Sequence, residues 1–140
     1  MPPIGHRDLS AKVIAAAIAV HREHGPGFIE SIYEESLCIE LDEQSIKYER
    51  QKPLQILYKG RVVGEHRQDL VVEGKLIVEL KAIANLEDIH FAIVRSYLTA
   101  AKLEDALLLN FASMPLTIKR VGRSYDKAGQ ASGEEHVKNS

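Results

Sequence analysis

Residues 67–81 read Arg67-Gln68-Asp69-Leu70-Val71-Val72-Glu73-Gly74-Lys75-Leu76-Ile77-Val78-Glu79-Leu80-Lys81. Two apolar, β-branched runs flank Glu73-Gly74-Lys75, which is the pattern of two strands joined by a tight hairpin. Side chains alternate along a strand, so Glu79 and Lys81 share one face while Val78 and Leu80 point into a core on the other. A carboxylate and an ammonium on so apolar a strand have a mundane explanation, an exposed ion pair worth under about 1 kcal/mol. Asp69 adds a second possibility. If residues 73–75 form the tip, Asp69 lies directly opposite Glu79. A two-residue Glu73-Gly74 turn instead pairs Asp69 with Val78 and turns Glu79 away. In the first register two carboxylates converge beside a lysine. Their repulsion is relieved by a divalent cation, Mg²⁺ or Mn²⁺, which would polarise a phosphoryl oxygen and activate a water. Lys81 is then placed to orient that water or neutralise charge on the phosphate.

Moving toward the N-terminus, Leu9, Val13, Ala16, Ala17 and Val20 recur at three- and four-residue steps, predicting a helix from Asp8 to about His24. Gly25-Pro26-Gly27 ends it. A second helix is expected over 29–43, with Ile32, Leu37 and Leu41 inward. The period then changes. Residues 46–51 and 54–58 read as strand broken at Pro53, and Lys59-Gly60 turns the chain into a strand over 61–72. Downstream of the hairpin, Asn85 with Asp88 predicts a helix start. That helix runs to about Lys102, with Ile89, Ile93 and Ala100 on one side. Residues 105–111 suit a strand buried on both faces, and 117–121 an edge strand. The composition after Val121 is small, polar and aperiodic, so a domain over 1–121 and a disordered tail over 122–140 are expected. The order α-α-β-β-β-β-α-β-β is a mixed α/β layer.

The chain has 140 residues, 45% of them hydrophobic and 27% charged, the composition of one globular domain. No apolar run approaches the roughly 20 residues of a membrane span, so no membrane partner is expected. The opening MPPIGHRDLS has no apolar signal-like stretch, and Cys38 is the single cysteine, which excludes an intrachain disulfide or a cysteine metal cluster. A cytoplasmic location follows as an expectation. The net charge of −2 means that any nucleic-acid partner must be met by a local basic patch or a bound cation. Arg67, Lys75, Lys81, Lys102, Lys119 and Arg120 are the cations expected near the Asp69–Glu79 pair; scattered charges of this kind are usually solvated, and only several along one rim would guide a phosphate backbone. His21 and His24, three apart, suit a helix C-terminus better than a zinc site lacking further ligands.

Gly27-Phe28-Ile29-Glu30-Ser31-Ile32-Tyr33 and the Asp69…Glu79-Leu80-Lys81 spacing together resemble the GxxExxY proteins, a branch of the PD-(D/E)XK nuclease superfamily. Glu49-Arg50-Gln51, Tyr58-Lys59-Gly60, His90, Tyr97-Leu98 and Leu109-Asn110-Phe111 also match. The resemblance covers residues 8–121. It implies a restriction-endonuclease-like α-β-β-β-α-β core and a metal-dependent nuclease acting on DNA or RNA. It further implies Asp69 and Glu79 as metal ligands, Glu30 as an additional acidic ligand and Lys81 as the catalytic lysine. Arg67 and His90 are candidates for substrate contact. Glu30 has a second explanation, a first-turn carboxylate favoured by the helix dipole. His90 is by default structural, and Tyr33 a packing residue. Ile93 stands where such proteins often carry a glutamine, which implies an alternative: a weak or inactive nuclease-fold module that binds nucleic acid or protein. Homo-oligomer formation is compatible with either.

Overall fold

The computed structural model describes residues 6–123 and 135–137. Helices α1 (His6–His24) and α2 (Glu30–Glu43) lead into strands β1 (Tyr48–Tyr58), β2 (Arg61–Val72) and β3 (Leu76–Lys81). Helix α3 (Asp88–Ala101) then crosses to β4 (Asp105–Asn110), followed by β5 (Thr117–Gly122) and β6 (Glu135–Val137). The strands form one sheet in the order β1-β2-β3-β4-β5-β6, and only the β3–β4 pair, bridged by α3, is parallel. The stretch α2-β1-β2-β3-α3-β4 is the restriction-endonuclease-like core.

Alternation along the strands divides the interior between two helical layers. Leu70, Val72, Val78, Leu80, Leu107 and Leu109 pack with α1 and α2 residues such as Val13, Leu37 and Leu41. Ile77, Ala106 and Leu108 point the other way, onto Phe91, Val94 and Leu98 of α3. Every residue of β3 before Lys81 is buried, and so is every residue of β4 after Asp105, as expected for central parallel strands.

Several elements differ from the sequence-based expectation. Pro53 does not break β1, because β1 is the edge strand and the missing N–H costs no ladder bond on its open side. Helix α3 starts at a capping box between Glu87 and His90 and not at Asn85. Its inner face is Phe91, Val94, Arg95 and Leu98, leaving Ile89 and Ile93 substantially exposed, and Ile32 on α2 is also part-exposed. Strand β5 is not an edge, since β6 pairs with it. The tail expected over 122–140 lies mostly outside the described residues. Within it, Gly122 closes β5 and 135–137 form β6.

Candidate active site

The hairpin register places the two central carboxylates. Leu70 pairs with Val78, Val71 with Ile77 and Val72 with Leu76, so residues 73–75 form the tip and Asp69 faces Glu79. Glu73 and Gly74 both adopt positive φ, which turns the chain over that odd-length loop. Beyond Leu70 the ladder stops, and side chains replace it. The Leu80 amide donates to Asp69 Oδ2 at 2.9 Å, and the Asp69 amide donates to Glu79 Oε1 at 3.3 Å. Each carboxylate therefore satisfies the backbone of the opposite strand while keeping a second oxygen for another partner.

Glu79 is only 5% exposed. Burial first, and the Asp69 carboxylate second, push its carboxyl well above the usual range, with Lys81 partly opposing. A buried acid facing another acid is favourable only with a proton or a cation between them. Lys81, two residues on, lines the same small cavity of about 120 Å³, as do Glu30, His66, His90, Ile93, Val94 and Tyr97. Glu30 reaches it from the first turn of α2, on the opposite layer. The acidic residues Glu30, Asp69 and Glu79 offer only oxygen donors, which suits a hard divalent cation. Among the described residues no three Asp, Glu, His or Cys side chains converge tightly enough to cage an ion. A cation held by Asp69 and Glu79 would retain waters, as small hard cations commonly do.

The motif around Gly27 has a local physical basis. Gly25 and Gly27 take φ of +67° and +115°, which lets the chain reverse between α1 and α2. Tyr33 is fully buried and stacks on Phe111 with ring centroids 4.5 Å apart. Its hydroxyl donates to the Gly25 carbonyl at 2.6 Å and accepts the Phe28 amide at 3.1 Å. The tyrosine thus pins the turn from which α2, and Glu30 with it, begins.

A second network holds Asp69. Glu34, buried in α2, accepts two bonds from the Arg50 guanidinium and one from Gln51 Nε2 at 2.9 Å. Gln51 Nε2 also lies 3.5 Å from Asp69 Oδ1. Gln51 sits at φ 50°, interrupting β1 opposite Asp69. On the far side, His66 stacks on Tyr97 at 3.8 Å, and the Tyr97 hydroxyl meets His66 Nδ1 at 3.0 Å. Burial, followed by the charges of Glu79 and Asp69, pushes Tyr97 up to about 12, so the hydroxyl keeps its proton. Burial and the nearby Lys81 hold His66 below its ordinary value, against an opposing pull from Asp69, which favours the neutral ring.

Of the residues expected at the site, Asp69, Glu79, Lys81, Glu30 and His90 meet at one cavity. His90 also accepts the Glu87 amide at Nδ1 (2.8 Å), which leaves Nε2 to carry the proton of the neutral ring. Arg67 does not line the cavity; it reaches the Gln51 carbonyl and Glu65. Reasoning from sequence did not single out Glu34 or His66. Glu34 lies in a run of acids that reads as a solvated helix face, and its burial follows only from α2 packing on β1. His66 is three residues from Asp69, which a regular strand places on the opposite face. His21 and His24 bond the Ser113 carbonyl and the Ser36 hydroxyl, and Cys38 is buried, in line with structural roles. A larger open depression of about 910 Å³, around Asp42, Tyr48 and Glu73, lies at the other end of the hairpin. Its polar groups already bond each other: Tyr48 with Asp42, and Glu73 with the Lys47 amide.

Residues 7–121 match the family model described as the PD-(D/E)XK nuclease superfamily. No curated protein and no solved structure matches the chain. Among the described residues no helix is long and apolar enough to cross a membrane.

Proposed function

The chain belongs to the PD-(D/E)XK nuclease superfamily, and from that premise we propose that it hydrolyses phosphodiester bonds of DNA or RNA with Mg²⁺ or Mn²⁺ as cofactor. The convergence of Asp69 and Glu79 across β2 and β3, with Lys81 in the same cavity, carries this reading. Asp69 and Glu79 are the metal ligands, and Glu30 is a third acid on the rim. A bound divalent cation supplies Lewis acidity toward a phosphoryl oxygen and lowers the pKa of a water. The Lys81 ammonium lines the same cavity, where its charge acts on Glu79 and His66, and it orients the attacking water or offsets charge on the phosphate. His90 Nε2–H is a donor for a phosphate oxygen, and Arg67 for the backbone beside it. The wall made by His66 and Tyr97 limits water around the buried acid.

Cleavage of single- and double-stranded DNA and RNA, with Mg²⁺, Mn²⁺ or EDTA, tests this function. The expected result is metal-dependent cleavage that Lys81→Ala and Asp69→Ala each reduce by about 10²-fold or more, the scale of losing one electrostatic group at a reacting centre. Circular dichroism must show both variants folded. Absence of cleavage together with no calorimetric signal for Mn²⁺ would overturn it in favour of a binding module. Ile93 lines the cavity, and Ile93→Gln, by adding a donor and acceptor there, is expected to raise the rate.

A further inference from the structure

Strands β1 and β2 are longer than the sheet they belong to. Only Leu70–Val72 of β2 pairs with β3, whereas β1 and β2 pair with each other out to Tyr58 and Arg61. Every residue from 57 to 65 is exposed, so neither face of the ribbon is covered over that span. Lys59 and Gly60, both at positive φ, close it in a two-residue turn. At about 3.3 Å per residue, the five steps from His66 to Arg61 carry the ribbon roughly 17 Å from the cavity that His66 lines. A register shift at Ile56 and Leu57 adds twist.

The charge on this ribbon runs against that of the chain. Residues 52–67 hold four cations, Lys52, Lys59, Arg61 and Arg67, and one carboxylate, Glu65, in a chain of net charge −2. Lys52 and Arg67 have carboxylate neighbours, whereas Lys59 and Arg61, at the tip, have none among the described residues. Exposed Leu57, Tyr58, Val62 and Val63 lie beside them.

We propose that the β1–β2 ribbon is a groove-reading arm for B-form duplex DNA, with Lys59 and Arg61 gripping phosphates while the cavity holds the scissile one. This deepens the nuclease reading and rests on it for the nature of the partner. A two-stranded ribbon fits the B-DNA major groove, about 12 Å wide, where apolar side chains meet thymine methyl groups. The major groove of A-form RNA is too narrow and deep for it. A reach of roughly 17 Å spans about five base pairs at about 3.4 Å each, so duplex must extend at least that far to one side of the cut.

The test is fluorescence anisotropy in EDTA with 20-base-pair DNA, the same duplex as RNA, and single-stranded DNA, across a salt series. Lys59→Ala/Arg61→Ala is expected to weaken DNA-duplex binding by about tenfold and to lower the log–log salt slope by about two, one for each phosphate no longer gripped. Wild-type protein is expected to prefer DNA duplex over both other ligands. Unchanged affinity and slope in the double variant, or equal binding of duplex RNA, would overturn the proposal. So would light scattering that finds a dimer split by Leu57→Ser/Val63→Ser with DNA binding intact, because the arm would then serve self-association. Binding in EDTA needs no catalysis, so the two readings fail separately. Arm-dependent binding without cleavage sinks only the nuclease function, and cleavage of DNA with an indifferent arm sinks only this inference.

Discussion

Glu79 sits where the requirements of folding and of the proposed chemistry conflict. Its carboxyl is buried against Asp69 and is held above the ordinary carboxylate range. A proton is therefore bound more tightly in the folded chain than in the unfolded one. The stability this confers on the metal-free protein is fully present below the unfolded carboxylate value, about 4.3, and is lost as pH rises through the folded value. Metal-free protein should accordingly melt at lower temperature at pH 8 than at pH 5.5. Glu79→Gln, which keeps the shape without the charge, should remove most of that fall and raise the midpoint by a few degrees at pH 8. A cation requires the ionised form, so Mn²⁺ should raise the wild-type midpoint at pH 8, do so less at pH 5.5, and leave Glu79→Gln nearly unmoved. Thermal melts across pH with EDTA or Mn²⁺ check all three. A Glu79→Gln midpoint at pH 8 below wild type would mean that the carboxylate is held by partners and not strained.

At the scale of elements, the hairpin, the Gly27 turn and α3 each bring one part of the site. Tyr33→Phe keeps the stack on Phe111 but removes the bonds to Gly25 and Phe28. The loss should cost about 1–2 kcal/mol, a drop of several degrees in melting temperature for a chain of this length. If the turn places Glu30, metal affinity should fall as well, measurable by Mn²⁺ calorimetry. A stability loss with unchanged Mn²⁺ binding would separate Glu30 from the site. The same elements show what could be read beforehand. Alternation over 67–81 and the Gly74 turn located Asp69, Glu79 and Lys81, because strand period and turn chemistry are local. The odd-length tip needed the structure, since Glu73-Gly74 also suits a two-residue turn. Pro53 suggested a break because a missing N–H matters only where a neighbour strand needs it, and edge position is not local information. The inner face of α3 was misjudged because Ile89 and Ile93 are as apolar as Phe91 and Val94. Which pair faces the sheet depends on where β3 and β4 lie.

Across the whole molecule, order is unevenly distributed. Strands β3 and β4 are buried from both sides, between α1 and α2 on one face and α3 on the other. From 57 to 65 the ribbon has two strands, no covering layer and, among the described residues, no third strand on either edge. A two-stranded ribbon without a packed face is marginal in water, so its hydrogen bonds open without the rest of the fold. Amide exchange by mass spectrometry should show peptides over 55–64 exchanging about 10²-fold faster than those over 76–81 and 105–110, since the latter open only near global unfolding. Duplex DNA added in EDTA should slow exchange in 55–64 and leave β4 unchanged. Mn²⁺ alone should slow only the segments around Asp69 and Glu79. Uniform protection across β1–β4 would mean that the ribbon is already rigid, and an arm of that kind would meet its groove preformed, with little ordering cost on binding.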